Sequence, residues 1–441
     1  MSRDITVNSV TSSRRLVSGI GKPHNTTVHS IGLIFGLFAI GTVLLDAFET
    51  IILPRRASGK IRLTRVFYRL TWRPWAAVVG RFSNRRLRET GFSFYGPLSL
   101  LLLMALWAVG LVFGFGLMFW GLGAPLHDPL GLHPLHTAIY ISGTTLFTLG
   151  LGDIIPLNHW ARDLVIVEAG TGLGFVAMVI GYLPVLYQAF SRREGSIALL
   201  DGRAGSPPTA SELLRRHSSD GGNDALVALL EEWERWSAEM LESHISYPLL
   251  CYFRSQHDNQ SWLSAITAIL DTCAVLLSIV ECSACRQARL TFAMARHTVV
   301  DLLLVFNLQP VAMPKLPVPA AIPDANKDEK DSPTRLSEPE LVRFTEVLCK
   351  AGYRLRLEPE RLALLRKLRW MYEGQVLMLS RYLCMPLPSF VTEKPGRDTW
   401  MLVNNLLELY STQPQATDED THAATLMART REIFADEPHA F

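Results

Sequence analysis

The sequence predicts an all-α membrane protein with three transmembrane helices, a re-entrant loop and a helical cytosolic C-terminal domain. Hydrophobic residues make up 49% of its 441 residues and charged residues 19%. The first half contains three apolar stretches, each long enough to cross about 30 Å of hydrocarbon as a helix. The second half has apolar residues at helical spacing. It also contains all six cysteines, which indicates a reducing cytosolic compartment.

The N-terminal region combines a polar tail with the first apolar span. Residues 1–29 are rich in Ser, Thr and Asn and lack hydrophobic periodicity, so they predict a mobile tail. Residues 30–53 are apolar over the length of a membrane span and predict the first transmembrane helix. No cleavable signal peptide is apparent, so this segment is expected to remain in the protein. Asp46 and Glu49 lie near the end of this span. Intramembrane acids are functional candidates, but these two also lie within reach of the interface and of nearby arginines.

Residues 54–94 predict a basic cytosolic segment. Residues 55–88 contain no acid. They contain eleven basic residues: Arg55, Arg56, Lys60, Arg62, Arg65, Arg69, Arg73, Arg81, Arg85, Arg86 and Arg88. A short loop with this many basic residues stays on the cytosolic side of the membrane. Its interleaved aromatic residues predict a helix on the inner membrane surface that contacts anionic lipid. Regular Arg spacing is also typical of voltage sensors, but this segment is too polar to span.

Pro97 to Leu122 is an apolar stretch without an ionisable residue and predicts the second transmembrane helix. This stretch and the first span each carry a Gly-x-x-x-Gly pattern, which favours close helix packing. The loop that follows is then external and carries His127, His133 and His136. Exposed histidines titrate near neutral pH, so external protons or metal ions could affect the protein through this loop. The alternative is that these histidines are solvated side chains without a role.

The most informative motif is Thr148-Leu149-Gly150-Leu151-Gly152-Asp153. An ion-selective filter needs successive backbone carbonyls directed at one axis, and glycine adopts the required backbone angles at alternate residues. Gly150 and Gly152 have this spacing, Thr148 supplies a hydroxyl for the inner mouth, and Asp153 supplies a carboxylate for the outer mouth. The alternative is a Gly-rich turn at the end of a buried helix.

With its flanks, the motif resembles the pore domain of potassium channels over residues 95–193. The resemblance implies an outer helix, a pore helix over 136–147, a re-entrant filter and an inner helix over 160–190. It implies a homotetramer that coordinates K⁺ through the backbone carbonyls of Thr148, Leu149, Gly150 and Leu151. It also implies a gating hinge at Gly172, although a glycine there equally allows close helix packing. Leu151 replaces the usual aromatic residue and Phe147 replaces a common Thr, so selectivity for K⁺ over Na⁺ is expected to be weaker than usual.

The second half predicts three regions without a recognisable ligand site. Residues 201–308 predict a helical cytosolic domain, 309–335 a disordered linker rich in proline, and 336–441 a helical segment with an acidic tail. Trp262 to Val280 is nearly apolar enough to span, but a buried helix fits the charge distribution better. Cys282 and Cys285 form a lone C-x-x-C pair, which predicts packed thiols rather than zinc ligands.

These observations predict a multi-pass potassium channel of the cell membrane, with an external N-terminus and a cytosolic C-terminus. The alternatives are a weakly selective cation channel and a non-conducting membrane scaffold or sensor with a channel-like pore. No nucleotide-binding, metalloprotease or hydrolase motif is present, so we expect no enzymatic activity. We likewise expect no cofactor besides the permeant K⁺ and no nucleic-acid partner.

Overall fold

The computed structural model describes residues 26–53, 62–123, 126–128, 131, 133–218, 222–257, 259–281, 284–306, 308, 335–392 and 403. The α-helices of this part are α1 Thr26–Ile51, α2 Leu63–Val79, α3 Arg85–Gly121, α4 Pro134–Leu146, α5 His159–Ala204, α6 Ala210–Arg216, α7 Gly222–Ser246, α8 Trp262–Ser278, α9 Cys285–Val305, α10 Glu338–Lys350, α11 Pro359–Trp370 and α12 Glu373–Leu383. The remaining elements are a 3-10 helix, Pro248–Tyr252, and two short strands, β1 Leu126–His127 and β2 Ile155–Pro156.

In the part of the chain that the structure describes, three helices are long and apolar enough to cross a membrane, namely α1 from Val28, α3 and α5. Together with the helical C-terminal region, they confirm the predicted all-α fold with three transmembrane helices. Two of them extend further than predicted. The helix α3 begins at Arg85 rather than near Pro97, and α5 continues through Pro184 and past Phe190 to Ala204.

The described residues fall into two compact units, of which the first contains residues 26–44 and 106–177. In this pore unit, α1 and α3 approach each other through glycines. A Cβ added to Gly36 would lie 2.6 Å from the Gly114 carbonyl oxygen, and one added to Gly110 would lie 2.8 Å from Val43 Cγ2. The two Gly-x-x-x-Gly patterns therefore lie at one close helix contact, as small residues favour inside membranes.

The second unit contains residues 45–105 and the described residues from 178 onward. Its centre is α8, which is almost completely buried and packs against α9 and α11. The one acid of α8, Asp271, accepts hydrogen bonds from both terminal nitrogens of Arg335 at 3.0 and 2.8 Å and from Tyr372 Oη at 2.5 Å. The helix is thus the core of a bundle, as its single charge suggested.

The basic segment forms helix α2, but its aromatic face packs on protein. Trp72 is buried and donates its indole N–H to the Tyr382 carbonyl at 2.9 Å. Tyr68 stacks on Tyr252 with 5.5 Å between the ring centroids. The sequence placed these aromatic residues on the membrane surface and did not predict this contact. Tyr68 and Trp72 share one helical face, and such a face can be covered either by lipid or by an apolar protein surface. Arg69 and Arg73 remain exposed.

Asp46 and Glu49 hold the start of α2. The buried Asp46 carboxylate accepts from the backbone N–H of Thr64 at 3.1 Å and from its hydroxyl at 2.6 Å. Glu49 pairs with Arg62 at 2.9 Å. A carboxylate at the first turn of a helix satisfies free N–H groups and complements the helix dipole. The pairing alternative from the sequence is therefore the better explanation of Glu49, and Asp46 acts as a cap.

Several sequence predictions fall outside the described residues. These are residues 1–25 of the tail, Arg55, Arg56 and Lys60, Cys282, the stretch 309–334, and the acidic C-terminal tail. Arg335, which the predicted linker included, belongs to the core beside Asp271. Cys285 donates its thiol to the Leu276 carbonyl at 3.6 Å, as a packing cysteine does.

Candidate functional site

The filter motif lies in the loop between α4 and α5, inside the pore unit. The strand β1, before α4, pairs antiparallel with β2, after the motif, so that Leu126 faces Pro156 and His127 faces Ile155. This pairing brings the two ends of the re-entrant segment together. His133 caps α4, because its ring nitrogen accepts from Leu135 N–H at 3.4 Å. One of the three histidines of this loop thus has a structural role.

The backbone of the motif alternates between ordinary and left-handed conformations. Thr148, Gly150 and Gly152 have φ values of 55°, 56° and 75°. Glycine tolerates this region, whereas Thr148 is strained there, and such outliers concentrate at functional sites. The N–H groups of Leu149 and Gly150 both donate to the Thr144 carbonyl, at 2.8 and 3.4 Å. The end of α4 therefore anchors the start of the loop.

The six residues of the motif, Thr148 to Asp153, are exposed in the single chain. Leu149 and Leu151 expose 62% and 63% of their surface. At the end of the motif, Asp153 accepts a hydrogen bond from Tyr140 Oη at 2.8 Å. This hydrogen bond from the pore helix restrains the loop. Leu151 has no polar group that could form such a bond, and the sequence reasoning missed the role of Tyr140.

Gly172 lies where α5 passes close to the end of α4. A Cβ at this position would lie 2.1 Å from the Leu146 carbonyl oxygen, whereas a Cβ at Gly170 or Gly174 would meet no atom within 4 Å in the described chain. This observation favours the packing alternative at Gly172. The sequence could not separate that role from a hinge, since both require glycine.

Glu168 is an additional polar residue of α5 that the sequence analysis did not single out. It is fully buried, and its Oε1 lies 2.5 Å from Ser142 Oγ on α4. An acid within an apolar span was the available signal; it was applied to Asp46 and Glu49 and overlooked here.

Beyond its apolar part, α5 carries the buried Arg193. Its guanidinium donates to the Leu250 carbonyl at 2.8 Å and the Phe253 carbonyl at 2.9 Å, and it pairs with Glu194 at 2.8 Å. The His244 ring nitrogen Nε2 lies 3.3 Å from it. Burial and the nearby Arg193 charge hold the pKa of His244 well below its usual value. In the second unit, the end of α5 is therefore tied to the helical domain.

The described residues contain no group of three His, Cys, Asp or Glu side chains that could hold a metal ion. Coordination of K⁺ by the backbone carbonyls of Thr148, Leu149, Gly150 and Leu151 stays a prediction from the sequence. A row of carbonyls that replaces the hydration shell is a recognised way to bind K⁺.

Comparison with known proteins supports an ion-channel domain in this part of the chain. Residues 111–188, which include α4, the filter motif and most of the apolar part of α5, match a family model described as ion channel. The chain is also similar to the uncharacterized membrane protein YdjJ of Bacillus subtilis (strain 168), with 25% identity over 249 residues that cover 54% of this chain and 67% of the relative. No solved structure matches the chain. Residues 111–188 are therefore similar to the ion-channel family of potassium channel-type pore domains.

Proposed function

We propose that the protein is a potassium-selective channel through which K⁺ flows passively. The observation that carries the proposal is the alternation of left-handed φ values at Thr148, Gly150 and Gly152, inside the segment that matches the ion-channel family. Alternate conformations of this kind suit a row of carbonyls that faces one axis. The carbonyls of Thr148, Leu149, Gly150 and Leu151 would bind the ion.

The pore would require four copies of the chain. Each chain supplies one re-entrant loop, and one loop cannot surround an axis. The exposure of Leu149 and Leu151 in the single chain supports this assembly, since a filter loop faces either the ion pathway or a neighbouring copy. Native mass measurement of the detergent-purified protein tests it, and a monomer that still conducts would contradict it.

The helical domain would gate the pore through α5. Arg193 supports this role, because it ties the last part of the inner helix to the carbonyls of Leu250 and Phe253. We expect Arg193→Leu to change the open probability while single-channel conductance stays the same. The matched control is Arg192→Leu, at an exposed neighbouring position. Unchanged gating in both variants would remove this role.

The protein would lie in the cell membrane with its N-terminus outside and its helical domain in the cytosol. The basic segment around α2 supports this orientation, and its exposed Arg69 and Arg73 would contact anionic lipid. A cysteine introduced at His127 should react with an impermeant thiol reagent from outside, and one at Ser83 should not. Labelling of the Ser83 position in intact cells would reverse the orientation.

Ion flux into liposomes that contain the purified protein tests the function itself. Uptake of K⁺ over Na⁺ supports the proposal, uptake of both ions supports a weakly selective channel, and uptake of neither supports a scaffold or sensor.

The filter assignment is tested by Gly150→Ala and Gly152→Ala, because a Cβ at a left-handed residue is strained. Both variants should assemble without conducting, and normal flux through either would show that the filter lies elsewhere.

A further inference from the structure

The buried Glu168 forms a polar contact between three helices of the pore unit. Its Oε1 lies 2.5 Å from Ser142 Oγ on α4, and that oxygen lies 2.9 Å from the Val112 carbonyl on α3. Its second oxygen, Oε2, is buried without a hydrogen-bond partner in the described part of the chain. Glu168 itself lies on α5, so this chain of contacts joins α3, α4 and α5 inside an apolar environment.

The number of protons in this contact determines the charge of Glu168. Ser142 has one hydroxyl proton, but an ionised Glu168 and the Val112 carbonyl would both be acceptors. If Glu168 carries a proton, it donates to Ser142 Oγ, and Ser142 then donates to Val112 O. An ionised carboxylate here would instead be buried with one bare oxygen and no cationic partner among the described residues, which is strongly unfavourable.

The contact belongs to a seam between the pore helix and the inner helix. Ser142 meets Glu168, and one helical turn later on both helices Leu146 meets Gly172. Residues four apart lie on one helical face, so the two contacts fix the end of α4. The filter loop begins directly after that end, and its first N–H groups donate two hydrogen bonds to the Thr144 carbonyl.

We propose that Glu168 is a neutral carboxylic acid that joins α3, α4 and α5 through Ser142 and positions the pore helix for the filter. It is a positioning residue, since it lies in the helix seam rather than in the filter. Its effect on selectivity rests on the proposed channel function, whereas its protonation does not.

Infrared spectroscopy tests the proton without any need for conduction. The full-length protein in lipid at neutral pH is compared with Glu168→Gln, so that the difference spectrum isolates this one carboxyl. We expect a band of a protonated carboxylic acid in the wild type, shifted in frequency in Ser142→Ala because the acid loses its acceptor. A carboxylate band in its place, or a band that Ser142→Ala leaves unmoved, would overturn the proposal.

Ion flux tests the positioning role. Glu168→Gln keeps an N–H donor of the same length, so it should retain the selectivity of the wild type. Glu168→Leu has similar volume without a donor and should reduce discrimination of K⁺ against Na⁺ by about tenfold, the factor that corresponds to the free energy of about one hydrogen bond. Native mass measurement confirms assembly of each variant. Equal selectivity of the Gln and Leu variants would contradict the role, whereas a wild type without flux would contradict the channel function instead.

Discussion

The two units of this protein treat a buried acid in opposite ways. In the helical domain, Asp271 is paired with Arg335 and receives a further hydrogen bond from Tyr372. In the pore unit, Glu168 is equally buried but has only a serine hydroxyl beside it among the described residues. A guanidinium partner offsets part of the cost of burying a carboxylate, whereas an unpaired buried acid is expected to hold a proton. The same residue class therefore supports a charged network in one unit and a neutral helix contact in the other.

The apolar side chains of α8 and those of the pore unit also differ in exposure. The helix α8 is almost completely buried by other parts of its own unit. In the pore unit, Phe38 exposes 71% and Ile166 exposes 70% of its surface. Exposed apolar surface of this extent is a contact surface for lipid or for another protein chain. The core around α8 is therefore formed within one chain, whereas these side chains of the pore unit are left mostly uncovered by the described part of their own chain.

The largest expected effect is at the seam of the pore unit. Gly172→Ala would place a Cβ 2.1 Å from the Leu146 carbonyl oxygen, so the end of the pore helix must move and conduction should be lost. Gly170→Ala is the matched control on the same helix, because its Cβ meets no described atom within 4 Å. Single-channel recording checks both variants. Normal conductance with altered opening in Gly172→Ala would restore the hinge interpretation.

The charged network of the helical domain should respond with the next largest effect. Asp271→Asn removes the close partner of the buried Arg335 charge and leaves the longer pair with Glu373 at 3.7 Å, so the free energy of unfolding should fall by about 3 kcal/mol. The control is Glu281→Gln, which breaks the half-exposed pair with Arg356 and should cost about 0–1 kcal/mol. Thermal or urea unfolding of the full chain in detergent compares them. Equal destabilisation by both would contradict the contrast between buried and exposed pairs.

A smaller effect concerns the pH dependence of the helical domain. Because the pKa of His244 is held below its usual value in the folded protein, only the unfolded chain binds a proton as the pH falls below about 6.5. Stability should therefore decrease in acid, by up to about 1.4 kcal/mol per pH unit. His244→Gln should remove this component of the slope. An unchanged slope in unfolding measurements would show that other groups cause it.

The smallest expected effect is at Leu151. Leu151→Tyr adds a hydroxyl beside the filter, and one net hydrogen bond contributes about 0.5–1.5 kcal/mol. Selectivity for K⁺ over Na⁺ should increase modestly if the hydroxyl finds a partner. The existing bond between Tyr140 and Asp153 limits the gain. Reversal potentials under a K⁺/Na⁺ gradient measure it, and a tightly selective wild type that the change leaves unaltered would contradict the expectation.

The sequence predicted the features that depend on local pattern. Apolar length predicted the three spanning helices, and glycine spacing predicted the alternate conformations at Gly150 and Gly152. It did not predict contacts between distant residues, because no period marks them. The pairing of Asp271 with Arg335 and the contact of Glu168 with Ser142 each join residues on separate elements. Such partners are determined by tertiary packing, and the acid alone is the signal in the sequence.

The central claim is that Thr148 to Asp153 form a potassium-selective filter. The most direct test is the reversal potential of the purified wild-type protein in a planar bilayer with K⁺ on one side and Na⁺ on the other. We predict a current that reverses on the K⁺-selective side of zero and that disappears in Gly152→Ala. A reversal potential at zero, or a current that persists unchanged in Gly152→Ala, would contradict this account of the filter.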